Sequence, residues 1–187
     1  MRLDQLNESR GDAITITWRS FLLRTEPKTT SREQFAAYTE SWLRPAAMEP
    51  ATKFRTWDES SDDPPVSSLP AQVAAKAVDR TSPVAAWSFH RSLLSAYFTD
   101  NRDISDWEIL RQVAEGSGVD LELYDELLAA TRQALASEVI DDHNAAIERE
   151  IHAVPSVPFA DQLVVPGAQD VAVYEDLVDR FQERLAP

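Results

Sequence analysis

Not one of the 187 residues is cysteine. That absence removes disulfide frameworks, thiolate metal sites and cysteine nucleophiles from the chain. Positive charge is scarce as well. Eighteen lysines and arginines face 32 aspartates and glutamates, for a formal net charge of −14 and a pI near 4.5. Nucleic-acid binding needs a basic stripe to displace counterions, and anionic membranes attract basic clusters, so neither partner is expected. The acidity itself reads as solubility and weak self-association. No apolar run approaches the roughly 20 residues of a membrane span. The opening "MRLDQLNESRGD" has no apolar signal segment, so a cytoplasmic location is expected. No glycine-rich phosphate loop, zinc spacing or Ser-His-Asp arrangement stands out. No metal or cofactor is expected.

What is present is enough for a real core: 43% hydrophobic and 9% aromatic residues in a chain sized for one domain, or for a core with an inserted subdomain. "RLDQLNESR" (2–10) reads as the end of a helix, with Leu3 and Leu6 on one side and Gly11 as its stop. "AITITWRSFLL" (13–23) alternates Ile14, Ile16 and Trp18 against Thr15, Thr17 and Arg19, which predicts a strand. Ser31 caps a helix over 31–43 with Phe35, Tyr38 and Trp42 at helical spacing, ended by Pro45. Residues 45–68 read as a loop pinned by Phe54 and Trp57.

Four helical patterns follow. Residues 70–80 open on a proline suited to a first turn. Residues 82–100, capped by Ser82, carry apolar residues on more than one face and are expected to form the most buried helix. Residues 105–118 start with a capping box from Ser105 to Glu108. Residues 120–151 show one stripe through Leu121, Tyr124, Leu128 and Leu135. Two short extended pieces, 154–159 and 162–165, form a hairpin around Ala160–Asp161. A last helix runs from about Gln169 to Leu185 on a Tyr174, Leu177, Val178, Phe181 face.

The stretch "IHAVPSVPFADQLVVPGAQD" (151–170) holds three prolines among apolar residues, an odd composition for a buried strand because each proline removes a ladder donor. Val154-Pro155-Ser156 at its start fits a trans bond at an edge strand, and equally a cis bond, which proline alone adopts cheaply. A cis bond would turn the Val154 amide and carbonyl outward, toward an extended peptide. Of the histidines, His90 reads as a satisfied buried side chain. His143, within "DDHNAAIERE", lies on a solvated polar face, since Asp142, His143 and Glu148 share no helix face suited to a metal. His152 is the one beside the proline loop. Trp18, Trp42, Trp87 and Trp107 read as core and domain interface.

Taken together, "ITITWRSFLL", "SSLPAQVAAKAV", "FHRSLLSAYFTDNRDISDWEILRQVAEGSGVD" and "AVPSVPFADQLVVPGAQD" resemble the DsbA-like thioredoxin-fold family, in particular its cytoplasmic FrnE-type members, over nearly the whole chain. The resemblance implies an α/β thioredoxin-like fold with an inserted all-helical subdomain. Residues 1–23 and 148–187 would form the discontinuous thioredoxin-like domain, and 24–147 the insertion. It implies a cis Val154–Pro155 bond and a Gly167-Ala168-Gln169 entry into the last helix. It also implies a peptide or small-thiol substrate near Val154, Pro155 and His152, and it leaves a homodimer open.

The departure is equally informative. Such proteins begin with a strand and a Cys-x-x-Cys motif at a helix N-terminus, where the helix dipole activates the nucleophile. Here Met1 falls in the middle of that helix. The resemblance thus implies a thiol–disulfide oxidoreductase or isomerase, yet the chain as given offers no catalytic residue for the exchange and is expected to be redox-silent; the alternative is a non-catalytic binding protein that keeps the cis-proline groove. The chain lacks equally the serine or thiol used by 2-hydroxychromene-2-carboxylate isomerases and kappa-type glutathione transferases. The missing strand would lie between 13–20 and the hairpin; a natural product about 25 residues longer at its start is the favoured expectation, with a sheet that closes differently or a second chain that fills the gap as the alternatives.

Overall fold

The computed structural model describes residues 2–48, 53–60, 62–160 and 162–185. Eight α-helices and one two-stranded sheet are found among them. The chain divides into two compact units, one made of residues 1–19 and 143–187, the other of residues 20–142. The described elements make a mostly helical α/β arrangement, with the two-stranded sheet in the first unit and a block of helices in the second.

In the first unit, α1 (Arg2–Arg10) ends where Gly11 takes a φ of +47°. β1 (Ser156–Phe159) and β2 (Leu163–Pro166) pair antiparallel, and α8 (Val171–Leu185) follows. A small core unites them: Leu6 of α1, Val165 of β2, and Tyr174 and Val178 of α8 are buried, with Leu3, Ile14, Val157, Phe159 and Leu177 packed against them. Phe159 stacks on Tyr174 and Phe181, with centroids 6.2 and 6.0 Å apart. Ion pairing fastens α1 to α8 through Arg10 and Asp179, and the Ser9 hydroxyl donates to Glu175.

The predicted strand at 13–23 is not a strand. After a 3₁₀ turn (Gly11–Ala13) the chain is extended at Ile14 but joins no ladder among the described residues. The period of two survives as alternating exposure, with Ile14 and Ile16 half-buried and Thr15 and Thr17 exposed. Side-chain alternation fits a strand, but strand formation needs a hydrogen-bonding neighbour. Trp18, read as core or interface, is 37% exposed.

The second unit holds the larger core. α4 (Leu69–Thr81) buries Ala71, Val73, Ala74, Ala75, Ala77 and Val78, far more than the helix expected to be deepest. That helix, α5 (Pro83–Phe98), buries only Phe89 and Ala96. Small side chains let α4 approach its neighbours closely, whereas the aromatic residues of α5 are divided between two clusters. Phe89 joins the α4 core with Leu110 and Ala114 of α6 (Trp107–Gly116) and Tyr124, Leu128, Leu135 and Val139 of α7 (Leu121–Glu148). Tyr97 and Phe98 join Phe35, Trp42, Phe54 and Trp57, so Phe54 and Trp57 do pin their loop.

Local differences from expectation each have a cause. Ser31 caps α2 (Arg32–Thr39) through the Gln34 amide at 3.2 Å. A 3₁₀ turn (Glu40–Trp42) follows, and Pro45 does not end the helical run: it lies in the first turn of α3 (Leu43–Met48), where a missing N–H costs nothing. The N-cap of α6 is Asp106, accepting from Glu108 N at 2.8 Å, rather than Ser105, whose hydroxyl is engaged with Asp103 and Val66 N. Ser82 accepts from Asp120 N across the unit instead of capping its own helix. Near the ends of the insertion, the Asp142 carboxylate takes the Ser20 amide at 3.1 Å and the Lys76 ammonium at 2.7 Å. The buried Tyr124 hydroxyl has no hydrogen-bond partner among the described residues, and burial pushes its pKa up to about 12.

Candidate functional site

The predicted site residues, His152, Val154 and Pro155, lie just before the hairpin of the first unit. α7 ends at Glu148, and Glu150 adopts a φ of +58° as the chain leaves the helix. Ile151 is buried, while His152, Ala153, Val154 and Pro155 are exposed, Val154 to 45%. The Val154–Pro155 peptide bond is cis. The Ser156 hydroxyl donates back to the Ala153 carbonyl at 2.7 Å. The strands are shorter than their apolar sequence, and three residues, 160–162, join them; the middle one, Asp161 of the predicted turn, lies outside the described residues.

The far side of the loop is a set of hydrogen bonds that sequence reading missed. Gly167, at a φ of +74° that favours glycine, donates its amide to the Pro155 carbonyl at 2.8 Å. Tyr174 Oη donates to the Gly167 carbonyl at 3.3 Å and accepts from the Gln169 amide at 3.2 Å. The Gln169 side chain donates to the Pro166 carbonyl at 2.7 Å. From α1, Arg2 reaches the Ala168 carbonyl at 2.7 Å and the Asp170 carboxylate at 3.7 Å. Tyr174 was legible as a core residue, but its hydroxyl as the clip of the Gly-Ala-Gln turn was not. Arg2 carried no signal, since its partners stand about 166 residues away.

Chemically, the loop offers backbone rather than reactive side chains. Among the described residues, neither the amide nor the carbonyl of Val154 takes a hydrogen bond. His152 is exposed beside it, and among the described residues no backbone hydrogen bond ties it to the loop. His90 faces Asp79 at 3.4 Å in the other unit, and His143 stands next to Asp142, which is already paired with Lys76. No group of three metal-ligating side chains converges among the described residues, and none of their helices is long and apolar enough to cross a membrane.

A hairpin led by an exposed cis-proline loop, clipped to a Gly-Ala-Gln helix entry, is the arrangement that the family resemblance implied. The model of the DSBA-like thioredoxin domain matches residues 1–179. The chain belongs to that family. A curated relative, the ClpXP adapter protein SpxH of Bacillus subtilis, is 27% identical over 128 residues, which is 65% of this chain and 42% of that protein. The chain thus aligns with less than half of the relative's length. Among solved structures, a proposed protein disulfide isomerase from Nitrosomonas europaea superposes with a TM-score of 0.78 at 12% identity, covering 99% of this chain and 90% of its own. The cytosolic disulfide reductase DsbM of Pseudomonas aeruginosa, solved with GSH, gives 0.70 at 14% identity, covering 98% and 90%. At these identities the superpositions establish the shared fold.

Proposed function

We propose that this chain, within a family of disulfide oxidoreductases and isomerases, holds an extended polypeptide against the Val154–Pro155 loop and performs no thiol–disulfide exchange of its own. The observation that carries this reading is the pairing of an open Val154 backbone with a sequence that has no cysteine. Exchange requires a thiolate to attack a disulfide sulfur, and these 187 residues supply none. Backbone pairing needs only unpaired donors and acceptors at an exposed edge. The name of the Bacillus relative, an adapter rather than an oxidoreductase, supports a binding role. A cytoplasmic, FrnE-type placement draws on the cytosolic DsbM neighbour and on the motifs quoted above.

The test has two arms. Fluorescence anisotropy with a labelled unfolded peptide is expected to show binding that Val154→Asp weakens by roughly tenfold, the scale of 1.4 kcal/mol. Insulin reduction and dithiol oxidation by the 187-residue protein are expected to stay at background. Absent binding, or measurable turnover, rejects the reading.

A second reading is a thiol–disulfide oxidoreductase or isomerase whose thiol lies on polypeptide beyond these residues. The disulfide isomerase and reductase names of the structural neighbours favour it. An in-frame strand and Cys-x-x-Cys in the upstream coding sequence, with turnover by the longer product, would establish it. Binding of glutathione would instead point to an isomerase or transferase that uses a small thiol.

A further inference from the structure

We infer that a cleft at the C-terminal end of α5, in the second unit, binds a small zwitterion, a free α-amino acid, with its carboxylate on Arg102 and its ammonium on Asp100. The cleft has a volume of about 270 Å³. Ser92 and Ser95 line it from α5, Gln112 and Val113 from α6, and Asp100 and Arg102 from the turn between the two helices. Pockets for drug-sized ligands measure roughly 300–1,000 Å³, so this one is limited to a small metabolite.

The turn is fixed by its own bonds. The Thr99 and Asp100 amides both donate to the Ser95 carbonyl, at 2.8 and 3.0 Å, and the Arg102 amide returns to the Ala96 carbonyl at 2.8 Å. Buried Asn101 makes the reversal at a φ of +52°, a conformation that asparagine tolerates better than most residues. It also ties the turn to the loop before it: its side-chain amide donates to the Thr56 carbonyl, and its carbonyl accepts from the Ser60 hydroxyl. Asp62 then takes both Arg102 Nε, at 3.1 Å, and the Asp103 amide, at 3.2 Å. On the other side, Gln112 accepts from Arg102 Nη2 at 3.1 Å and donates in turn to Glu108 at 3.3 Å.

Of the five N–H donors of a guanidinium, two are engaged here, at Asp62 and Gln112, and three are unused among the described residues. Asp100, two residues away, is exposed, and its carboxylate has neither a hydrogen bond nor an ion pair among the described residues. One short turn thus brings to the cleft a positive and a negative group that do not pair with each other. The surrounding charge selects the ligand. Asp62 already neutralises Arg102, and Asp100 and Glu108 add two further carboxylates, so a plain anion such as phosphate is repelled. An ammonium meets Asp100, and the carboxylate it carries accepts from the free N–H groups of Arg102 in the two-point manner that suits a guanidinium. Ser92 and Ser95, one helical turn apart, and Val113 are left for the side chain, which favours a small or hydroxylated one. Because Arg102 is held on two sides, little ordering cost falls on binding.

The experiment titrates the full chain with each of the common L-α-amino acids and follows its backbone amide shifts by NMR. Saturable shifts within residues 92–116 are expected for at least one of them, with a dissociation constant of roughly 1 mM or below. The matching amine, without the carboxylate, and the matching carboxylic acid, without the ammonium, are each expected to bind at least about tenfold more weakly. D100N alters an exposed side chain that holds no other part of the fold, and it is expected to weaken the amino acid by about tenfold. R102K keeps the charge but loses the fork, and a similar loss is expected from it, with its fold checked by circular dichroism. No saturable shift with any amino acid up to about 10 mM overturns the site. Undiminished binding by D100N overturns it as well. Equal binding of the amine alone overturns the zwitterion and the role of Arg102.

Discussion

The two compact units are built to very different depths. The insertion packs α4, α6 and α7 around alanine, valine and leucine side chains with almost no exposure, and adds a second, aromatic cluster around Trp42 and Trp57. Among the described residues, the first unit has a core cluster of four buried residues and a sheet of two strands. A hairpin is marginal in water unless a hydrophobic face is covered, and here the cover is α8 together with α1. Stability is thus concentrated away from the cis-proline loop, which is carried on the thinner layer. Binding elements commonly come from the less stable parts of a fold.

The strongest way to break this comparison is to attack both cores. Leu135→Ala, at a fully buried position of α7, is expected to cost about 2–5 kcal/mol in urea unfolding. If Val165→Ala in β2 shifts the main transition as far as Leu135→Ala, the asymmetry is wrong. Alkaline pH should strike the insertion next. Burial pushes Tyr124 up to about 12 and raises Tyr97 further, and both lie in that unit. Because the unfolded chain releases these protons near pH 10 and the folded protein holds them, the stability present below pH 10 is lost as pH rises toward 12. Tyr124 alone accounts for about 2–3 kcal/mol. Absorbance at the phenolate band should show its ionisation coinciding with unfolding of the insertion. Ionisation at pH 10 with the fold intact would contradict the burial.

Within the thinner unit, Phe159→Ala removes the stack on Tyr174 and Phe181 and should cost about 1–2 kcal/mol, since the ring is only half-buried. Hydrogen exchange should show faster exchange in the hairpin and α8 with little change in α4. Tyr174→Phe is the gentlest change. It keeps the ring and deletes the hydroxyl clip at Gly167 and Gln169, for about 1 kcal/mol. The Gly167 and Gln169 amides should lose protection while Tm barely moves.

Much of the helical architecture was legible because it rests on periodicity that a single segment carries. The stripe of α7, the face of α8 and the Ser31 cap needed no partner to be read. What escaped depends on distant partners. The alternation of Ile14, Ile16 and Trp18 is real, yet no described strand pairs with it. Ser105 and Ser82 have the right side chains for caps, but Asp103, Val66 and Asp120 engage them first. The aromatic richness of α5 looked like depth, and it proved to be a division between two clusters. At the candidate site, Val154 and Pro155 could be located from the residues. The geometry of the bond between them came from the family resemblance, since the local sequence allowed both forms. Arg2 and the Tyr174 hydroxyl hold the turn from positions no local pattern could reveal.

Asp142 closes the helical region on itself, since one carboxylate grips the amide of Ser20. A cassette whose first and last residues touch can be spliced into a host chain, lengthened or exchanged while asking the host for no more than two adjacent attachment points.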